Sequence, residues 1–86
     1  MIRICFKPTF VRQFKKLDPL LQEEAFEKIE LFKDPKNHGT LKVHKLHGPL
    51  KDRYSFSVNY KTRIVFNFLS ETEAVLLTIG DHAIYR

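Results

Sequence analysis

Residues 53–69 read RYSFSVNYKTRIVFNFL, and this stretch decides the fold. Its first half alternates apolar and polar residues, which is the period of a half-buried strand. The apolar set is Tyr54, Phe56, Val58 and Tyr60, and the polar set is Arg53, Ser55, Ser57 and Asn59. Lys61 and Thr62 form a tight reversal, and residues 63–69 alternate again. The stretch therefore predicts two antiparallel strands with one apolar face and one open, polar face.

The residues before this hairpin predict a strand and two helices. Residues 1–6 alternate as a strand, and residues 8–17 and 19–33 have the helical period. Asp18 is a good N-cap with Pro19 at the first helical position, and Asp34-Pro35 ends the second helix. The expected inner stripes are Phe10, Val11, Phe14 and Leu17 on the first helix, and Leu21, Ala25, Ile29 and Phe32 on the second.

A short strand at 41–46 and a last strand at 74–79 complete the predicted elements. The main elements are thus expected in the order β-α-α-β-β-β, which defines an α+β fold. Two helices need only one sheet face to bury their stripes, so a helical hairpin should cover one face of an antiparallel sheet. A chain of 86 residues fits a single domain, 1–86.

The positive charge of the chain is concentrated in one segment. The formal net charge is +5, and residues 40–63 alone contain six basic residues against one acidic residue. Such a patch attracts polyanions. The strand alternation predicts that this basic segment lines one side of the sheet. We therefore expect that side of the sheet to bind RNA. The candidate RNA-binding residues are Lys42, Lys45, Lys51, Arg53 and Lys61.

Composition argues against several other classes. The single cysteine, Cys5, excludes an intramolecular disulfide and a four-cysteine zinc site, and it is expected to be buried. His44 and His47 are poorly spaced as ligands on one strand, so neither a metal nor a cofactor is expected. His38, in a Gly/Pro/Asn loop, should be solvated. No apolar run reaches the ~18 residues of a membrane span, and no signal peptide is visible, so a cytoplasmic protein is expected.

RNA cleavage without a metal ion needs groups that this sequence offers. The 2′-OH of RNA is the nucleophile, and it needs a base, a cation for the phosphorane-like charge and an acid for the leaving oxygen. Histidine suits both proton transfers near neutral pH, and arginine offers two parallel donors to phosphate. The candidates are His44 and His82 on the basic face, near Arg63 and Tyr85.

Four segments resemble one family. Residues 44–48 (HKLHG), 51–58 (KDRYSFSV), 60–66 (YKTRIVF) and 79–85 (IGDHAIY) are similar to the RelE/ParE toxin superfamily, above all to its YafQ- and YoeB-like branches. The resemblance covers nearly the whole chain and is densest from Leu41 onward. It implies the toxin of a type II toxin–antitoxin system, an endoribonuclease that cuts mRNA in the ribosomal A site, with an antitoxin protein as partner.

The resemblance also implies roles for individual residues. Arg63 matches the arginine that contacts the scissile phosphate, and Tyr85 the C-terminal aromatic that stacks on or orients the substrate. His44 and His82 match histidines used for proton transfer, with base and acid left unassigned. The chain departs from the family in three places. Ser55 and Ser57 replace the two lysines of RelE, Asn59 or Lys61 stands near a YafQ histidine, and the YoeB glutamate has no counterpart.

Two alternatives to a nuclease remain open, and a third is rejected. A ParE-like toxin would poison DNA gyrase on the same fold without nuclease chemistry, and a degenerate homologue would be inactive. A non-catalytic RNA-binding module of the RRM type is rejected because both helices precede the meander, whereas that fold needs a helix between its strand pairs. The antitoxin is expected to contact the helical hairpin and the sheet edge, and to cover or displace groups near residues 82–85.

Overall fold

The computed structural model describes residues 1–48 and 52–81. The chain runs through β1 (Arg3–Phe6), α1 (Pro8–Lys15), α2 (Pro19–Phe32), a 3-10 turn (Pro35–Asn37), β2 (His44–Lys45), β3 (Tyr54–Ser57), β4 (Arg63–Ser70) and β5 (Glu73–Gly80). This order confirms the predicted α+β class. None of the helices in the described segments is long and apolar enough to cross a membrane.

The sheet has five strands in the order β1-β5-β4-β3-β2. Strands β2 to β5 pair antiparallel, as the hairpin pattern predicts, whereas β1 pairs parallel with β5. The sheet is therefore mixed rather than purely antiparallel. Alternation reports which face a side chain occupies and is silent on strand direction, so the direction of β1 was not encoded in the pattern.

Local signals explain where the two helices begin and end. The Asp18 Oδ1 accepts a hydrogen bond from the Leu21 amide at 3.0 Å, which confirms the predicted N-cap of α2. The Gln22 side chain donates to the Phe14 carbonyl at 3.0 Å and so closes the end of α1. At the end of α2, the side-chain Nδ2 of Asn37 donates to the Leu31 carbonyl at 2.9 Å.

The hydrophobic core lies between the helices and one sheet face. Phe32 is fully buried at its centre and stacks on Phe56, with ring centroids 4.6 Å apart. Phe66 meets Phe32 edge-on at 4.7 Å. The predicted stripe of α2 is confirmed, whereas Val11 of the α1 stripe is exposed. The helical hairpin thus covers a single face of the sheet.

An extra residue in β5 changes which side chains reach which face. Val65 pairs with Thr78 and Phe66 pairs with Leu76, so Leu77 is a bulge residue. The bulge places both Leu76 and Ile79 in the core and leaves Thr78 and Gly80 on the opposite face. β1 has already ended at this level, and the Ile79 amide donates instead to Gln13 Oε1 at 2.9 Å.

Two predicted strands are shorter than their patterns suggested. Residues 39–42 form a turn in which Lys42 has a φ of 60°, so only His44–Lys45 of the predicted strand 41–46 pairs. β3 ends at Ser57 because residues 58–62 form the reversal, with the Val58 amide donating to the Thr62 carbonyl at 2.9 Å. A residue in a turn has no face, so alternation overstated both strands.

Candidate active site

The sheet face opposite the helices carries the candidate site, and we call it the site face. Cross-strand pairing places His44 beside Ser55, and Ser55 beside Val65. The next row holds Ser57, Arg63 and Gly80. From strand spacings, the Cα atoms of His44 and Arg63 lie about 12 Å apart on this face. The register therefore brings these two predicted residues to the same side of the sheet.

The site face is not the open polar surface that the alternation predicted. Ser55 is fully buried, and Val65, Val75 and Leu46 are 2%, 8% and 9% exposed. Next to them, the side-chain Nδ2 of Asn67 donates to the Asp52 carbonyl at 2.8 Å. The middle of the face is thus apolar and sealed, and the accessible polar groups lie around it. A period-2 pattern shows which residues are polar but does not show that Ser55, between His44 and Val65, is buried.

Arg63 sits at the start of β4 with its guanidinium over the β3–β4 turn. Its Nη1 donates to the carbonyls of Asn59, Tyr60 and Thr62 at 2.6, 3.1 and 3.3 Å. Within the described residues, the Nε and Nη2 atoms make no hydrogen bond. A guanidinium has two edges that can bind phosphate in bidentate fashion, and no described residue occupies the Nε–Nη2 edge. Arg63 can therefore hold the turn through Nη1 and bind a phosphate through its other edge at the same time.

His44 is exposed on β2, and its ring is oriented by the backbone. Its Nδ1 lies 2.8 Å from the Lys42 carbonyl. A carbonyl oxygen only accepts, so Nδ1 is the donor and carries the proton. The neutral ring then presents an unprotonated Nε2. Lys42, whose carbonyl sets this tautomer, is the one described non-glycine residue with positive φ, and such strain is typical of functional sites.

The predicted RNA-binding cations do not all lie on the site face. Arg53 is exposed and shares its alternation with Ser55, and Lys61 is exposed at the tip of the β3–β4 turn. Lys42 is exposed in the turn before β2. Lys45 pairs with Tyr54, so it lies on the other face from His44, and the expectation of one basic side is wrong at this position. Lys51, His82 and Tyr85 lie outside the described residues.

Asn59 is the clearest departure from the predicted site face. Its Oδ1 accepts from the amides of Lys61 and Thr62 at 2.9 and 2.8 Å, which is an Asx turn. Its Nδ2 donates to Glu24 Oε1 of α2 at 2.7 Å. Asn59 therefore reaches toward the helical layer. The tripeptide Asn-Tyr-Lys at residues 59–61, inside the reversal, was the signal for this turn, since asparagine favours such turns.

Two further residues differ from their expected environments. His38 is not simply solvated, because its Nε2 donates to the Phe32 carbonyl at 2.8 Å and its ring stacks on Phe32 at 4.8 Å. Cys5 is exposed rather than buried, since it pairs with Val75 on the site face of the edge strand. Within residues 1–48 and 52–81, no three His, Cys, Asp or Glu side chains are grouped as metal ligands.

Comparison with known proteins places the fold in one class. No protein-family model and no curated protein sequence matches the chain. Solved structures do match it, and the fold is that of the RelE/ParE-type toxins, as the resemblance implied.

Three of these structures match almost end to end. The YoeB/ParE toxin from Agrobacterium tumefaciens has a TM-score of 0.76 at 15% identity, over 94% of this chain and 99% of that one. The YoeB-YefM complex from Staphylococcus aureus gives 0.73 at 19%, over 95% and 98%. YafQ from E. coli gives 0.70 at 13%, over 99% and 98%.

Proposed function

We propose that this chain is the toxin of a type II toxin–antitoxin system, a cytoplasmic endoribonuclease that cleaves mRNA in the ribosomal A site without a metal ion. The observation that carries the proposal is that His44 and Arg63 lie on the same face of the sheet. In its neutral form His44 offers Nε2 as a proton acceptor, and the Nε–Nη2 edge of Arg63 makes no hydrogen bond to any described residue. The fold shared with YoeB and YafQ toxins supports the same assignment.

In the proposed reaction, His44 is the general base. Its Nε2 takes the proton of the 2′-OH, and the freed O2′ attacks the adjacent phosphorus. The Lys42 carbonyl stabilises the imidazolium that forms, because it already accepts the Nδ1–H bond. The Nδ1–H bond to this carbonyl makes Nε2 the ring nitrogen that exchanges a proton with the RNA, and we assign His44 as the base and His82 as the acid.

The remaining roles fall to Arg63, His82 and Tyr85. The Nε–Nη2 edge of Arg63 binds the non-bridging oxygens, where charge develops in the transition state. His82 gives its proton to the leaving 5′-oxygen, so the products are a 2′,3′-cyclic phosphate and a 5′-hydroxyl end. β5 ends at Gly80, the cross-strand partner of Arg63, and His82 follows two residues later in sequence. Tyr85 stacks on a substrate base.

Serines stand where RelE has two lysines, and this difference argues against a lysine-centred mechanism. Ser55 is fully buried and Ser57 is half-buried, and neither carries a charge. A lysine-centred mechanism has no group at these positions, so proton transfer rests on the histidines. Electrostatic attraction of mRNA then falls to Lys42, Lys51, Arg53 and Lys61.

The helical side of the sheet offers a candidate surface for an antitoxin. A groove of about 850 Å³ opens between α1, α2 and the edge strand β1. Phe6 and Phe26 line it and are 50% and 61% exposed. Arg3, Lys15 and Lys33 also line it, together with Glu30, whose carboxylate pairs with Lys33 at 2.7 Å. We propose that an amphipathic antitoxin segment folds its apolar side into this groove, and that its continuation covers or displaces groups near residues 82–85. YoeB and the mycobacterial RelE2 toxin are found in complexes with antitoxins.

Purified protein with programmed ribosomes and a reporter mRNA tests the proposal. We expect primer extension to map breaks within the A-site codon, with a 5′-hydroxyl on the downstream fragment and no cutting of naked mRNA. A parallel reaction with supercoiled DNA and gyrase tests the ParE-like alternative. Gyrase-dependent DNA breaks without mRNA breaks contradict the nuclease, and the absence of both activities identifies an inactive homologue.

A further inference from the structure

The turn between β3 and β4, residues 58–62, is fastened more heavily than a reversal of the chain requires. Asn59 closes it through two amide contacts, and the same side chain ties it to Glu24 of α2 at 2.7 Å. Arg63 adds three carbonyl contacts from its other side. Thr62, the last residue of the turn, is 7% exposed. The backbone of the turn is thus fixed from the helix layer and from β4.

The side chain that this fixed turn presents is Tyr60. It is 90% exposed, the largest fraction among the exposed large hydrophobic residues of the described chain. Folding therefore gains almost nothing from burying its ring. An aromatic ring on a fixed backbone has few rotatable bonds to immobilise, so it offers contact area at a low entropic cost.

The surroundings of Tyr60 are cationic and belong to the candidate site. Its carbonyl accepts a bond from the Arg63 guanidinium at 3.1 Å, so the phosphate-binding group and the ring are held by one network. Lys61 is exposed on the same tip. An exposed aromatic residue with two cations nearby in the same turn fits an unpaired nucleotide, whose base stacks on the ring and whose phosphates contact the cations.

We propose that Tyr60 is a stacking platform for an unpaired RNA base next to the place where Arg63 binds phosphate. This inference rests on the proposed nuclease function and adds a binding residue to it. Stacking on an aromatic side chain contributes about 5- to 100-fold to affinity. The base belongs either to the mRNA or to ribosomal RNA at the site where the protein docks.

Substitutions at Tyr60 test the contact through the cleavage reaction on programmed ribosomes. Tyr60→Ala should raise KM by about 10-fold or more with little change in kcat, whereas Tyr60→Phe and Tyr60→Trp should stay within about 2-fold of wild type. Leu69→Ala is the matched control, because Leu69 is a 59% exposed apolar residue toward the other end of β4. Equal KM values for Tyr60→Ala and wild type overturn the inference, and so does full rescue by Tyr60→Leu.

A photo-crosslinking phenylalanine analogue in place of Tyr60 distinguishes the two RNA sources. Crosslinks to the A-site region of the mRNA identify the substrate, and crosslinks to ribosomal RNA identify a docking contact. Crosslinks only to protein, or none at all, contradict the inference. If wild-type protein cleaves no mRNA, the proposed function fails on that result alone, while the crosslink to RNA still decides whether Tyr60 contacts a nucleotide.

Discussion

The Nη1 atom of Arg63 donates to the carbonyl of Asn59 at 2.6 Å, so the candidate phosphate-binding residue is also the clamp of its own turn. Substituting Arg63 therefore removes two things together. One is a structural contact within residues 58–62, and the other is the Nε–Nη2 edge. Any loss of activity in an Arg63 variant has to be divided between them.

Variants of Arg63 and Asn59 separate the loss of the turn contacts from the loss of phosphate binding. We expect Arg63→Ala to lower kcat by about 100-fold or more, as the loss of a transition-state donor does. Asn59→Ala removes its turn contacts and the bond to Glu24 but leaves the guanidinium, so it should destabilise by about 1–2 kcal/mol and lower kcat much less. Urea unfolding and single-turnover cleavage measure the two effects. Equal losses of kcat in both variants mean that Arg63 acts only through the turn.

His38 and His44 should separate stability from activity. His38→Ala removes a hydrogen bond and a ring stack on the buried Phe32, so we expect a loss of about 1–2 kcal/mol in unfolding free energy with unchanged cleavage. His44→Ala removes the proposed base from an exposed position, so stability should hold while kcat falls by about 100-fold or more. His47→Ala, also at an exposed position, is the control for both measurements.

Arg53 and Lys45 form a matched pair of exposed cations on opposite faces. Arg53 shares the site face, whereas Lys45 pairs with Tyr54 on the other. Arg53→Ala should weaken binding to ribosomes and lower the slope of log K against log salt by about one, since each phosphate contact releases about one counterion. Lys45→Ala should change neither. An equal effect of both substitutions means that a general positive field, rather than the site face, attracts the RNA.

The sequence predicted the class and order of the elements because both depend on periodicity, and the strands around residues 53–69 alternate clearly. It predicted that His44 and Arg63 share a face for the same reason. It did not predict that Ser55 is buried or that Lys45 faces away, because those facts depend on what covers each position and on where a strand begins. The three-carbonyl clamp of Arg63 is a tertiary contact, and no local pattern encodes it.

The last prediction concerns binding of the antitoxin in the groove beside β1. Phe26 lines the groove, whereas Leu20 lies on the same helix, is 78% exposed and is not among the lining residues. Phe26→Asp places a carboxylate where we expect an apolar anchor of the partner, so it should weaken binding of the proposed antitoxin by about 100-fold. Leu20→Asp should leave binding unchanged. Calorimetric titration measures both affinities, and co-expression should show that only the Phe26 variant stays toxic. Equal affinity of the two variants places the antitoxin on another surface, because an anchor inside the groove would not tolerate a buried, unpaired charge.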